Sequence, residues 1–260
     1  MKLFDSHVMI GHFPFRMVKG YDAQSVYNCL HDCGVEHALV SSLPAVFYRD
    51  VMEGNLELLS EIEVNREFFI PAAVLNPNYP GSDEDFARSI ELGFKAIRLY
   101  PAYHGYNLSD ECSIRIMRKA ADVQIPVSLP ASIENPLQRH RLDADRFIME
   151  AELVEAVRAV PEATILFHHA STSLYAKALA EAKLDFLHNV FFDFQRVDFI
   201  AQPTMTQLFE YAGEDRVILG TGFPLHVPDV QLVKLANWSR FNESNLEKVV
   251  WSNLRNLIGI

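Results

Sequence analysis

Eight short runs rich in β-branched and aromatic residues punctuate this chain, and their recurrence limits the available folds more than any other feature. They read KLFDSHVMI, VEHALVSSL, FFIPAAVLN, FKAIRLYPA, IPVSLPAS, ATILFHHAS, VFFDFQRV and RVILGTGFP. They recur at intervals of roughly 25 to 38 residues. Between them lie amphipathic stretches of helical spacing, among them DAQSVYNCLHDCG, DEDFARSIELG, SIRIMRKAADV and AELVEAVRAVP, several opening on Asp or Ser and closing on Gly or Pro. Near-continuous apolar strands alternating with helices imply a parallel sheet covered by helices, because each crossover returns the chain over a sheet face. Eight such units in 260 residues imply an α/β fold closed into one (β/α)8 barrel of the TIM type. A single domain over residues 1–260 suffices.

The first strand is not followed by a glycine-rich phosphate loop, which disfavours a dinucleotide fold. A net charge of -11 argues against a nucleic-acid surface or an anionic membrane partner, either of which needs clustered Lys and Arg. Asp5 and His7 interrupt the N-terminal apolar run too early for a signal peptide, and no stretch approaches the length of a membrane span. Cys29, Cys33 and Cys112 are too few and too unevenly placed for a disulfide framework. The expectation is a cytoplasmic protein with a small-molecule ligand. Cys29, Cys33 and His37 have a ligand-like spacing, but an i, i+4 pair on an amphipathic helix is also how small apolar residues face a core.

In such a barrel, functional side chains lie at the C-terminal ends of strands and in the loops that follow. Candidates there are His7 and His12 after the first strand, Ser41 and Ser42 after the second, Asn76 after the third, and Arg98, Tyr100 and His104 at the fourth. Ser128 and Ser132 follow at the fifth, His168 and His169 at the sixth, Asp193, Gln195 and Arg196 at the seventh, and Thr221 and His226 at the eighth. ENPLQRHRLDADRF, residues 134–147, is a long polar insertion placed to reach over the mouth after strand five.

FDSHVMIG resembles the opening strand of the amidohydrolase-related proteins, whose pattern there is Asp-x-His-x-His-x-Gly. GFKAIRLYP is similar to their fourth strand, RVILGTGFP to their eighth, which usually ends Gly-Ser/Thr-Asp-Tyr-Pro, and WSNLRNLIGI to their closing helix. The resemblance spans the chain. It implies a barrel with a C-terminal helix, a metal-dependent hydrolase or decarboxylase activity, a divalent metal such as zinc, and a tendency to form homo-oligomers.

The family surrounds its metal with two His of strand one, a His of strand five, often a His of strand six, and an Asp of strand eight. At the matching positions this chain has His7, Met9, Pro130, one of His168 or His169, and Gly222. A thioether is a soft ligand ill matched to hydrolytic zinc, and catalytic zinc needs about three protein ligands with one position open. The expectation is therefore a metal site largely lost, with His7 and His168 or His169 remaining and well under one equivalent of ion retained on purification. A site rebuilt from His12, His104, His226 or Asp193 is the other possibility. Neighbours on a strand point to opposite faces, so only one of His168 and His169 is expected to look into the mouth.

His7, His168 and His169 are thus the candidate catalytic residues, and Arg98, Tyr100, His12, Asp193 and Thr221 the candidate substrate contacts. Arg98 in an apolar strand demands a partner, either a substrate carboxylate or a structural acid such as Asp193 or Asp5. Two functions remain open. One is an enzyme of the amidohydrolase-related type acting on a small organic acid, amide or lactone. The other is a non-catalytic barrel that binds a small carboxylate or a partner protein.

Overall fold

The computed structural model describes residues 1–135, 137–169, 171–183, 189–197, 202–237 and 242–260. Eight parallel strands follow one another in chain order: β1 (Leu3–Ile10), β2 (Val35–Ser42), β3 (Phe69–Leu75), β4 (Ala96–Leu99), β5 (Val127–Pro130), β6 (Ile165–His168), β7 (Val190–Asp193) and β8 (Val217–Ile218). The barrel closes where Ser6 N donates to Leu219 O at 2.8 Å and Met9 N to Phe223 O at 2.9 Å, joining the end of β8 to β1. All eight expected segments are strands of this sheet, as the periodicity required.

The four expected amphipathic stretches form helices at Ala23–Asp32, Ser82–Glu91, Glu111–Asp122 and Glu150–Ala159. The first begins where the Asp22 carboxylate accepts from Ser25 N, satisfying one donor that a helix start leaves orphaned. No helix among the described residues is long and apolar enough to cross a membrane.

The interior is layered along the barrel axis. At the N-terminal end Phe4, Leu39, Ala96, Leu166, Phe191 and Ile218 pack with Leu254 and Ile258 of the C-terminal helix Asn253–Ile258, which plugs that end. Two residues further along the strands, on the same face, the layer turns polar at Ser41, Arg98, His168 and Asp193. Burial of these polar groups is costly unless something pairs with them.

Much of the layer is paired through Arg98. Its Nε donates to Ser128 Oγ at 3.0 Å, Nη1 to Val8 O at 2.9 Å and Ser41 Oγ at 2.8 Å, and Nη2 to Ser6 O at 3.2 Å and Leu39 O at 3.4 Å. All five guanidinium donors are thereby engaged. The β1–β2 register explains the need: Asp5 pairs with Ala38 and Val8 with Val40, so β1 carries one extra residue, a bulge that disturbs the ladder where Arg98 inserts. The expectation that Arg98 anchors a substrate carboxylate is corrected, because a guanidinium with every donor held by the barrel has none to offer. Neither Asp193 nor Asp5 is its hydrogen-bond partner.

Candidate active site

Three buried side chains from three strands meet at this layer: His7 of β1, His168 of β6 and Asp193 of β7. One ligand atom from each lies within 4.8 Å of the others. That spread is close to the roughly 4.2 Å that two ligands each about 2.1 Å from a common ion can span. The His7 and His168 rings stack with centroids 4.8 Å apart, and His168 Nδ1 is 3.3 Å from Asp193 Oδ2. Among the described residues neither ring nitrogen of His7 nor Nε2 of His168 has a hydrogen-bond partner, although both side chains are buried, and His168 Nδ1 has only the Asp193 carboxylate beside it. Orphaned buried imidazoles are rare, and two of them beside a buried carboxylate form a donor set that suits a borderline divalent cation. The residues present therefore fit a metal.

Burial holds His7 well below the ordinary imidazole range, and the neighbouring His168 and Arg98 lower it further. Burial also lowers His168, against the pull of Asp193. Both rings are neutral near pH 7, the form that ligates.

His169 adds a fourth group. Its ring centroid is 6.3 Å from that of His7 and 4.5 Å from that of His226. The expectation that only one of His168 and His169 faces the mouth is corrected: β6 ends at His168, and His169 adopts a left-handed φ of 57°, so strand alternation no longer applies. The backbone N of His169 donates to Asp193 Oδ2 at 3.2 Å, and its Nδ1 lies 2.7 Å from Ser132 O. A carbonyl can only accept, so Nδ1 carries the proton and the unpartnered Nε2 presents a lone pair.

The remaining candidates lie elsewhere. Thr221 is buried but committed to Asp5, its Oγ1 donating to Asp5 Oδ2 at 2.5 Å and its N to Asp5 Oδ1 at 3.0 Å. Burial nonetheless pushes the Asp5 carboxyl up to about 6. Tyr100 lies beneath the insertion, in a small recess with Tyr103, Ser132 and Asp145. His12 is exposed and packs on Tyr21 with centroids 3.8 Å apart. His104 contacts Val46 O at 3.1 Å through Nε2. Among the described residues no hydrogen bond or ring contact joins the side chain of Thr221, Tyr100 or His12 to those of His7, His168 and Asp193.

The substituted positions are equally informative. Met9 packs in the apolar core. Pro130 pairs with His168 in the β5–β6 register and has no donor atom in its ring. At Gly222, with φ of 71°, an added Cβ would meet Gln195 Nε2 at 2.3 Å and His226 Cδ2 at 2.9 Å. The space of a strand-eight carboxylate is thus taken by other side chains. Gly222→Asp is expected to cost about 1–3 kcal/mol through backbone strain and this overlap, without strengthening metal binding. Thermal denaturation with and without zinc checks it, and a stable variant with tighter metal binding would contradict it.

The insertion after β5, apart from Pro136, which lies outside the described residues, ties together loops from across the mouth. Arg16 Nε binds Glu134 at 2.6 Å, and Tyr103 donates to Asp143 at 2.8 Å. Asp145 accepts from Ile133 N at 2.7 Å, yet burial pushes its carboxyl up to about 7. A raised carboxyl binds more protons folded than unfolded, so it lowers stability progressively as pH rises from about 4 to 7. Asp145→Asn removes that loss. Its stability relative to wild type is expected to climb by a few kcal/mol at most across pH 4 to 7 and level off above, read as a growing difference in melting temperature. A difference independent of pH would refute the assignment.

The family model described as Amidohydrolase matches residues 46–260, most of the chain. The chain belongs to the amidohydrolase family. Among solved structures, a candidate amidohydrolase from Staphylococcus aureus superposes with a TM-score of 0.78 at 15% identity, over 100% of both chains. A 2,6-dihydroxybenzoate decarboxylase complexed with 2,6-dihydroxybenzoate gives 0.76 at 15%, over 100% of this chain and 99% of that one. A dihydroxybenzoic acid decarboxylase from Polaromonas sp. JS666, with bound manganese and the inhibitor 2-nitroresorcinol, gives 0.74 at 16%, over 99% and 96%. At such identities the likeness shows the shared fold. No curated protein matches the sequence significantly. The fold and family expectations hold, and within this barrel Asp193 joins the two histidines that the family pattern left.

Proposed function

We propose that this member of the amidohydrolase family is a metal-dependent hydrolase or decarboxylase acting on a small organic acid, amide or lactone at the C-terminal mouth of its barrel. His7, His168 and Asp193 hold the divalent cation. The observation that carries this reading is the convergence of those three buried groups with orphaned imidazole nitrogens between them. A bound cation would supply Lewis-acid polarisation of a substrate oxygen. His169 moves the proton: its Nδ1 is tied to Ser132 O, so Nε2 accepts from, and returns a proton to, the reacting molecule. A solely structural barrel would gain nothing from leaving these nitrogens unpaired. The decarboxylases of similar fold, one with bound manganese, support the same class of chemistry.

The test is turnover of a panel of aromatic acids, amides and lactones by protein stripped with chelator and then restored with manganese or zinc. Activity should appear only with metal, and His169→Gln should lower kcat by about 100-fold or more. Turnover that survives full chelation, or is indifferent to His169, would overturn the proposal.

A further inference from the structure

Beside the cluster, on the β7–β8 side of the mouth, lies a cleft of about 890 Å³ lined by Arg16, Gln195, Arg196, His226, Gln231 and Lys234 together with uncharged residues. Among the described residues no Asp or Glu lines it, although the chain carries a net charge of -11 and the carboxylates of Glu134, Asp145 and Asp193 stand near enough to act on Arg196. A cationic wall in an acidic protein selects for an anion.

The polar groups of that wall differ in availability. Arg16 is paired with Glu134 at 2.6 Å, and Lys234 Nζ donates to Gln195 O at 2.6 Å. Among the described residues Arg196 Nη1 is buried without a hydrogen-bond partner, and its guanidinium carbon lies 5.4 Å from the centroid of the Phe147 ring. Next to it, Gln195 is 6% exposed, and among the described residues neither its Nε2 nor its Oε1 has a partner. Buried amide and guanidinium donors left unpaired are costly, and two on adjacent residues facing one cleft mark a ligand contact. Their placement is coupled to the candidate metal cluster, because Asp193 Oδ1 accepts from Gln195 N at 3.2 Å and so pins the turn that carries both.

We propose that Arg196 and Gln195 bind the carboxylate of an anionic substrate in this cleft, making a small carboxylic acid the ligand class of the site. This rests on the reading of the barrel mouth as the reaction centre. Arg196 offers Nη1–H and Gln195 offers Nε2–H to the two carboxylate oxygens, and the neutral end of the molecule extends toward His226 and His169.

Calorimetry with 2,6-dihydroxybenzoate, glutarate, inorganic phosphate and the uncharged 2,6-dihydroxybenzamide tests it. At least one carboxylate should bind wild type, with the amide about tenfold weaker or more and phosphate no better than the carboxylate. Arg196→Met and Gln195→Met should each weaken the carboxylate by about tenfold while metal content and melting temperature hold, and Arg196→Lys should recover only part of the loss. Gln195→Met guards against misfolding, since its amide makes no hydrogen bond to lose. Absence of carboxylate binding, equal binding of the amide, tighter binding of phosphate, or wild-type affinity in both Met variants would overturn the proposal. If carboxylates bind through Arg196 to protein that takes up no metal, the metal-dependent reading fails and this assignment stands. If metal binds while Arg196 is irrelevant, the reverse holds.

Discussion

Arg98→Ala is expected to cost at least about 4 kcal/mol, enough to lower the melting temperature by roughly 10 °C or to prevent folding. The side chain is fully buried and makes five hydrogen bonds that join β4 to β1, β2 and β5. Truncation would leave three carbonyls and two serine hydroxyls without their donor in a layer that water does not reach, and would open a cavity of guanidinium size. Arg98→Lys should be almost as damaging, because one ammonium offers three donors where five acceptors wait. Differential scanning calorimetry and soluble yield measure this. A variant that melts like wild type but no longer binds carboxylates would return Arg98 to the role of substrate anchor.

Asp193→Asn should produce the second large effect. The amide keeps the shape of the carboxylate, and with its single oxygen at the Oδ1 position it can still accept from the backbone N of His169, 3.4 Å away, and of Gln195, 3.2 Å away, so the turn after β7 should persist. It lacks the charge that attracts a cation. Metal affinity is expected to fall by about 100-fold or more and turnover with it, while the melting temperature of the metal-free protein shifts by a few degrees at most. Equal metal affinity in Asp193→Asn and wild type would remove Asp193 from the ligand set.

The barrel was legible because strand periodicity, capping signals and chain length are local properties, and all eight apolar runs and the four helical stretches read from the chain lie in the elements expected. The site was legible only in part. His7, His168 and His169 stood out by type and position. Asp193 was recognised at the mouth both as a substrate contact and as one of four possible ligands of a rebuilt site, but no local pattern says which strand-end carboxylate lies within ligand distance of two histidines. Arg98 misled for the same reason: a buried arginine needs acceptors, and those here are backbone carbonyls around a β1 bulge that no sequence pattern announces. His169 escaped strand alternation because the chain turns left-handed one residue past the strand end. Gln195 and Arg196 carried a usable signal, two polar groups directly following the last strand residue Asp193 and its neighbour Phe194, where loop residues of a barrel face the ligand. Their unpartnered atoms, the feature that singles them out, exist only in three dimensions.

The measurement that bears most directly on the central claim is anomalous scattering from crystals of this protein grown with manganese or zinc. One strong peak is expected at the C-terminal mouth within about 2.5 Å of a ring nitrogen of His7, a ring nitrogen of His168 and a carboxylate oxygen of Asp193, and no such peak in Asp193→Asn crystals. A metal found elsewhere, or a wild-type mouth holding well under one equivalent under the same conditions, would contradict it and restore the picture of an amidohydrolase barrel that has lost its metal.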